Sequence, residues 1–239
     1  IWTVTKSYNK SKEMKNLAII PARGGSKRIP RKNVKPFLGK PMLAYSIEAA
    51  LATGLFDEVM VSTDDEEIAE VARQYGAKVP FMRSAETAND FATTDDVLRE
   101  VVTKYKELGQ SFDNFCCIYA TAPMIQPKDI VAAFERLHSS DFTIVYPVVA
   151  FSYPIWRCLD MASDGSMTYH WPEYELSRSQ DLPKEYHDTG TFYWHKIDKW
   201  MSGESKTGGI EVDETTIQDI DTETDWKIAE MKYKLLHNV

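Results

Sequence analysis

The chain has 239 residues, 43% of them hydrophobic and 27% charged, with 28 Lys and Arg against 36 Asp and Glu and a formal charge of −8. This length supports a substantial buried core in one large domain, and the acidic balance excludes nucleic acid and anionic membrane as partners, because both would be repelled. No apolar run approaches the roughly 18–20 residues needed to span a bilayer, and the three cysteines, Cys116, Cys117 and Cys158, lack the spacing of a zinc or redox pair, which fits a reducing, cytoplasmic compartment.

Residues 1–13 are polar and patternless, lack the layout of a signal peptide, and precede Met14, which reads as the natural start. They are expected to be a non-native or disordered extension, with the folded domain occupying residues 14–239. Ala18, Ile19 and Ile20 form a short apolar run suited to a strand buried on both faces, ended by Pro21, which has no N–H to donate. Next comes a basic loop. From Arg23 to Lys40 the chain carries Arg23, Lys27, Arg28, Arg31, Lys32, Lys35 and Lys40 without one Asp or Glu. Gly24 and Gly25 permit positive φ and close backbone approach, so that consecutive N–H groups can turn toward an anion.

Pro41 suits a helix start, Leu43, Ile47, Ala50 and Leu51 fall on one helical face, and Gly54 closes that helix. A strand is predicted over 58–63, a helix over 66–75 ended by Gly76, a short strand over 78–82 and a helix over 94–108. Strands over 114–119 and 142–149 flank a helix over 128–138. From Tyr146 to Tyr174 the alternation breaks down and Phe151, Tyr153, Trp156, Tyr169 and Trp171 crowd in. That density fits either an inserted segment over about 150–190 that packs on a second subunit, making a homodimer, or an ordinary aromatic subcore. A strand over 190–196 follows, and Trp226, Ala229, Tyr233 and Leu236 mark a last amphipathic helix. Repeated βαβ units give an α/β fold of three layers with a mostly parallel, Rossmann-like sheet, whose ligands lie beyond the carboxyl ends of its strands.

An acidic protein with one basic island calls for a small anionic ligand, the bland alternative being a solvated loop. Two common phosphate loops are excluded by spacing. In GxxxxGK[ST], the positions five beyond Gly24 and Gly25 would need glycine but hold Ile29 and Pro30, while Gly39-Lys40 is preceded at the required place by Val34 and followed by Pro41. GxGxxG fails because Ser26 follows Gly24 by two and no third glycine occurs before Gly39, which removes the main support for a dehydrogenase.

The run Ala22-Arg23-Gly24-Gly25-Ser26-Lys27, then Pro30-Arg31-Lys32-Asn33 and Gly39-Lys40-Pro41, resembles the nucleotidyltransferases that activate sugars, and more closely the acylneuraminate cytidylyltransferases, over nearly all of 14–236. Arg178-Ser179-Gln180-Asp181, Tyr186-His187-Asp188-Thr189-Gly190 and Phe192-Tyr193-Trp194 look most like the branch acting on pseudaminic acid. Ser179, where sialic acid enzymes usually carry a second basic residue, and Thr189, where they carry Asn, set the chain apart from enzymes of the common sialic acid. The resemblance implies the fold of the nucleotide-diphospho-sugar transferases. It also implies transfer of CMP from CTP to a nonulosonic acid by attack of the anomeric hydroxyl on the α-phosphorus.

By resemblance, Arg23, Ser26, Lys27, Lys32 and Asn33 hold the triphosphate, alongside the backbone of Gly24 and Gly25, and Arg23 and Lys32 also act in catalysis. Mixed guanidinium and ammonium groups suit a ligand of up to about four charges. Arg83 and Thr94 are placed at the base by resemblance; a capping or surface role is the alternative. Asp219 and Asp221, two apart, put both carboxylates on one face of an extended segment with Ile220 opposite, a donor pair for Mg²⁺ or Mn²⁺. Asp221 or Thr222 is equally placed to cap the last helix. Thr63-Asp64-Asp65-Glu66 and Thr93-Thr94-Asp95-Asp96 read as helix caps. For the sugar, Arg178 and Gln180 are expected to bind carboxylate and hydroxyl or acyl groups, with Tyr119, Thr121 and Tyr186 as neighbours and His187 a thin candidate for proton acceptor. The rivals are the same chemistry on N-acetylneuraminic, legionaminic or a deoxyoctulosonic acid, and a non-catalytic nucleotide-binding module.

Overall fold

The computed structural model describes residues 14–238, so the extension expected over 1–13 lies outside the described residues. Strand β1 (Asn16–Pro21) opens the fold, followed by the two-residue strands β2 (Pro36–Phe37) and β3 (Lys40–Pro41), helix α1 (Met42–Ala52), β4 (Glu58–Ser62) and α2 (Glu66–Gln74). Then come the short α3 (Ala85–Ala88), α4 (Thr94–Glu107), β5 (Asn114–Ile118), α5 (Pro127–His138) and β6 (Ile144–Ala150). A hairpin of β7 (Leu159–Met161) and β8 (Met167–Tyr169) precedes β9 (Tyr186–Asp188), β10 (Phe192–Lys196), α6 (Ile197–Ser202), β11 (Thr207–Glu211) and α7 (Glu223–His237).

The central sheet has seven strands in the order β11-β6-β10-β5-β1-β4, with β9 paired to the far end of β6. β1 is parallel to β4 and β5, and β6 to β11, while β10 runs antiparallel between β5 and β6. The expected mostly parallel α/β sheet is therefore present, with β10 reversed inside it and the short β9 reversed beside β6. The stretch 78–82, expected as a strand, forms only a bridge between Lys78 and Met60. Two backbone bonds, Lys78 N to Val59 O at 2.8 Å and Val61 N to Lys78 O at 2.9 Å, join it to β4, with the Lys78 ammonium paired to Glu58 at 2.8 Å.

Period-two burial divides the core into two layers. Ala18 and Ile20 of β1 and Cys116 and Ile118 of β5 face α1, α2 and α5, whereas Leu17, Ile19, Phe115 and Cys117 face α4 and Trp200 of α6. Trp194 of β10 is fully buried on the first side, stacked on Phe56 at 5.0 Å with its indole N–H donated to Ile130 O at 3.0 Å. A third cluster joins Ile29 of the basic loop to Phe37, Met42, Tyr45, Ile220 and Trp226, so α7 clamps the loop from outside the sheet.

Between β6 and β9 the chain makes one excursion, closed at its neck by Phe151 N donating to Glu185 O at 3.0 Å. It carries the β7–β8 hairpin and the contacts of Trp156 with Trp171 and Tyr174.

Trp194→Ala removes the largest fully buried side chain and is expected to destabilise the protein by about 3–5 kcal/mol. A urea titration followed by circular dichroism checks this: the midpoint should fall with little change in slope.

Candidate active site

Ala22 N donates to Ser62 O at 2.9 Å, and beyond that bond the chain leaves the sheet at the carboxyl ends of β1 and β4. Asp64 Oδ1 then accepts from Gly24 N at 3.0 Å. Asp65 accepts from Ile68 N as the cap of α2 and holds Arg31 by two bonds, Oδ2 to NH1 at 2.5 Å and Oδ1 to NH2 at 3.0 Å; Glu67 pairs with the same guanidinium. Arg31 has φ of 56°, the left-handed region, so this fork secures a turn that its own backbone disfavours. The Arg31 guanidinium holds the Asp65 carboxyl at about 2, well below the usual carboxylate range. Asn33 Nδ2 ties the far limb back to Arg23 O at 2.9 Å.

The two glycines differ from expectation. Neither Gly24 nor Gly25 has positive φ, and the Gly24 N–H is already taken by Asp64. Gly24 is required for space, since a Cβ there would lie 2.7 Å from Asp65 Oδ2 and 3.0 Å from its Cβ. The anion site is therefore made of side chains. Arg23, Ser26, Lys27, Arg28, Lys32 and Asn33 line a cavity of about 380 Å³ with Tyr119, Ala120 and Thr121. Arg31 turns to Asp65, Lys35 to Glu223 at 2.7 Å, and Lys40 to Glu48, and none of the three lines this cavity.

Arg28, which the sequence reading left without a role, lies in the cavity and binds Asp221 at 2.7 Å. Asp90 was missed too; it bridges Arg23 at 2.8 Å and Lys27 at 2.5 Å. Burial pulls the Lys32 ammonium below the usual lysine range against the opposing pull of Asp221 and Asp219. Its Nζ donates to Ile220 O at 2.7 Å and stands 3.7 Å from Asp221.

Two further cavities adjoin the first. One, of about 200 Å³, is lined by Arg23, Arg83, Asn89, Asp90, Thr94 and Tyr119, among others. Arg83 is buried there, its guanidinium bonded to Ser62 Oγ at 3.1 Å and Ser62 O at 2.6 Å. Thr94 begins α4 behind a capping box of Thr93 and Asp96, as its sequence signature predicts, and its hydroxyl lies 3.3 Å from that of Tyr119. The other cavity, of about 580 Å³, is lined by Lys32, Tyr119, Thr121, His187, Asp188, Thr189, Gly190, Tyr193, Ile217, Asp219 and Asp221. Tyr119 lines all three cavities, while Lys32 and Thr121 line the first and third.

Asp219 and Asp221 sit on an unpaired extended segment, not a sheet strand, with Ile220 buried between them. Both open on the same cavity as expected. The cap of α7 falls to Thr222 with Asp225, not to Asp221. Among the described residues no cluster of three or more His, Cys, Asp or Glu is arranged for a metal. Two carboxylates beside a cation-lined cavity nevertheless fit Mg²⁺, which commonly takes one or two protein carboxylates and completes its shell with phosphate oxygens and water.

Three sugar candidates lie elsewhere. Arg178 is 73% exposed and paired with Asp181 at 2.7 Å, Gln180 is exposed beside it, and Tyr186 donates to Glu211 at 3.0 Å; none lines the three cavities. Arg178 and Gln180 ride on the excursion between β6 and β9, which carries them off the strand ends, and sequence proximity to Asp188 did not reveal that.

Residues 17–193 match the family described as cytidylyltransferase. The chain is similar to a pseudaminic acid cytidylyltransferase of Campylobacter jejuni, 41% identical over 228 residues that cover 94% of this chain and 98% of that one. It is also similar to N-acylneuraminate cytidylyltransferase A of Danio rerio, 35% identical over 219 residues, 90% of this chain and 50% of the other. A solved structure of CMP:2-keto-3-deoxy-manno-octonic acid synthetase complexed with CTP superposes with a TM-score of 0.68 at 21% identity, covering 94% of this chain and all of that one, and so supports the fold.

Asp65→Asn keeps the shape of the cap but removes the charge that holds Arg31. Because the carboxyl is more acidic in the folded state, its contribution is present above the unfolded pKa near 4 and is lost as pH falls through about 2. Urea unfolding should place the variant about 1–2 kcal/mol below the parent at pH 7, with the gap closing as pH drops from 4 toward 2.

Proposed function

The chain belongs to the cytidylyltransferase family, and from that premise we propose that it transfers CMP from CTP to a nonulosonic acid, pseudaminic acid foremost, releasing pyrophosphate. The observation that carries this reading is the junction of the two larger cavities. Arg23, Lys27, Arg28 and Lys32 line the first, Asp219 and Asp221 the second, and Lys32, Tyr119 and Thr121 belong to both. A triphosphate held among the four cations would present its α-phosphorus at that seam, with an acceptor waiting on the other side. The choice of pseudaminic acid rests on the Campylobacter jejuni relative, aligned over almost its whole length. The Danio rerio match keeps an N-acylneuraminic acid as the second reading.

In this proposal the anomeric hydroxyl attacks the α-phosphorus and gives up its proton to solvent water as the new P–O bond forms, while the bond to the β-phosphate oxygen breaks and pyrophosphate leaves with those electrons. Arg23, Lys27 and Arg28 hold the leaving group. Lys32, partly desolvated and fixed by Ile220 O, faces the α-phosphate, where charge builds in the transition state. Arg83, Thr94 and Asn33 serve the nucleoside. Asp219 and Asp221 would hold Mg²⁺, which when bound supplies neutralising charge to the phosphates; Asp221 would then exchange its contact with Arg28 for the cation. The homodimer stays within the proposal, supported by Tyr153, Met161 and Leu176, which the excursion leaves 87%, 72% and 93% exposed. No described helix is long and apolar enough to cross a membrane.

Pyrophosphate release measured with CTP, ATP and UTP against a panel of sugar acids tests the assignment. Turnover is expected with CTP and a nonulosonic acid; silence with every pair would leave a nucleotide-binding module in its place. Asp221→Ala should lower kcat by about a hundredfold or more while calorimetry still detects CTP, and near-normal turnover in saturating Mg²⁺ overturns the metal assignment.

A further inference from the structure

One carboxylate in the acceptor-side cavity has no task in the nucleotide chemistry. Asp188 ends β9 and lines that cavity with Lys32, Tyr119, Thr121, His187, Asp219 and Asp221. Its position is built from behind. Gly190, with φ of 63°, turns its N–H back onto Asp188 Oδ1 at 2.5 Å, and the Tyr193 hydroxyl lies 2.7 Å from both carboxylate oxygens. Tyr193 is itself held between the rings of Tyr119 at 5.9 Å and Tyr146 at 5.3 Å. Burial, followed by the neighbouring Asp188, pushes its phenol above the usual range, so it stands as a neutral donor. Tyr119 in turn touches the Thr94 hydroxyl on the nucleotide side. The exposed carboxylate is therefore the last member of a chain of contacts that runs from Thr94 through Tyr119 and Tyr193.

An ionised carboxylate can accept about four hydrogen bonds, and Gly190 and Tyr193 use three at most. The remaining capacity opens on the cavity. Resting on the reading that a sugar acid occupies that space, we propose that Asp188 determines acceptor specificity by taking a hydrogen bond from a hydroxyl or acylamino N–H of the sugar acid, with Tyr193 as its positioning residue. The same charge repels the carboxylate of the sugar acid, so that end must turn away from Asp188, and the orientation of the substrate follows. A site built to bind a donor rejects an analogue lacking it far more strongly than an apolar pocket rejects a missing methylene, because the carboxylate is then left short of a partner.

The test is steady-state pyrophosphate release by the full chain with CTP and Mg²⁺, the sugar acid varied, using a panel of analogues that lack one hydroxyl or acylamino group at a time. Asp188→Asn preserves size and one acceptor oxygen for Tyr193. It should lower kcat/KM for the sugar acid about a hundredfold while KM for CTP stays within about twofold. One analogue should lose about a hundredfold with the parent enzyme but no more than about threefold with the variant, relative to the intact sugar acid. Tyr193→Phe should raise KM for the sugar acid about tenfold and leave kcat within about threefold, a split that general loosening of the fold would not produce. If Asp188→Asn acts on the sugar acid like the parent, if KM for CTP rises in step, or if every analogue is penalised equally by parent and variant, the proposal fails. Absence of turnover by the parent with any sugar acid, CTP binding being intact by calorimetry, instead overturns the functional reading on which it rests.

Discussion

Seven cations within the eighteen residues from Arg23 to Lys40 repel one another, and the rest of the site depends on how that repulsion is met. At separations of several ångströms each like-charge pair costs on the order of 1 kcal/mol even near a solvated surface. The chain answers with carboxylates drawn from segments far apart in sequence: Asp65 and Glu67 from the start of α2, Asp90 from the turn before α4, and Asp221 and Glu223 from the entry to α7. The acidic surplus of the whole chain is thus partly local compensation. The folded loop is therefore tied to α2, to the turn before α4 and to the entry of α7.

The pairs divide into two kinds. Arg31 with Asp65 is forked, and the Asp65 side chain is only 22% exposed; it holds a residue in the left-handed region and faces away from the cavity. Arg28 with Asp221 and Lys27 with Asp90 join cations that are 69% and 76% exposed, where water and salt reduce a pair to about 0–1 kcal/mol. The first kind fixes the loop. The second leaves cations at the cavity wall that a polyanion engages at little energetic cost, since the contacts it displaces are weak.

The sequence made β1, the basic loop and most of the helices legible because their signals are local: an apolar run, a charge run without acids, and caps such as Thr93 with Asp96. Asp219 and Asp221 were legible as a pair for the same reason. Gly24 was read for conformational freedom, whereas it is needed for the space beside Asp65, a contact across 41 positions. Strand β11 escaped notice because Thr207-Gly208-Gly209-Ile210-Glu211 has no apolar alternation; Gly208 is there to pass under the Phe142 ring, where a Cβ would lie 2.3 Å from its Cδ2. Arg28 and Asp90 owe their places to tertiary partners, and nothing beside them in sequence marks those partners. Arg178 shows the opposite limit, since it is near the cleft-lining segment in sequence yet lines none of the three cavities.

The reversed strand explains how one cleft comes to hold two kinds of site. In a sheet of parallel strands, ligand-binding loops follow the strands, because only their carboxyl ends reach the shared edge. β10 runs the other way, so its beginning arrives at that edge. Phe192 pairs with Ile118 at the end of β5, and Tyr119 N donates to Thr191 O at 2.8 Å. The segment preceding β10, with Asp188 and Gly190, is thereby set beside the loop that follows β1, although more than 150 residues separate them. Had β10 been parallel, Asp188 would have opened at the opposite end of the sheet. The antiparallel insertion therefore lets Tyr119 stand between the cations of the first loop and the carboxylates of the last segments, and it binds the segment of Asp188 to the same strands that carry the basic loop.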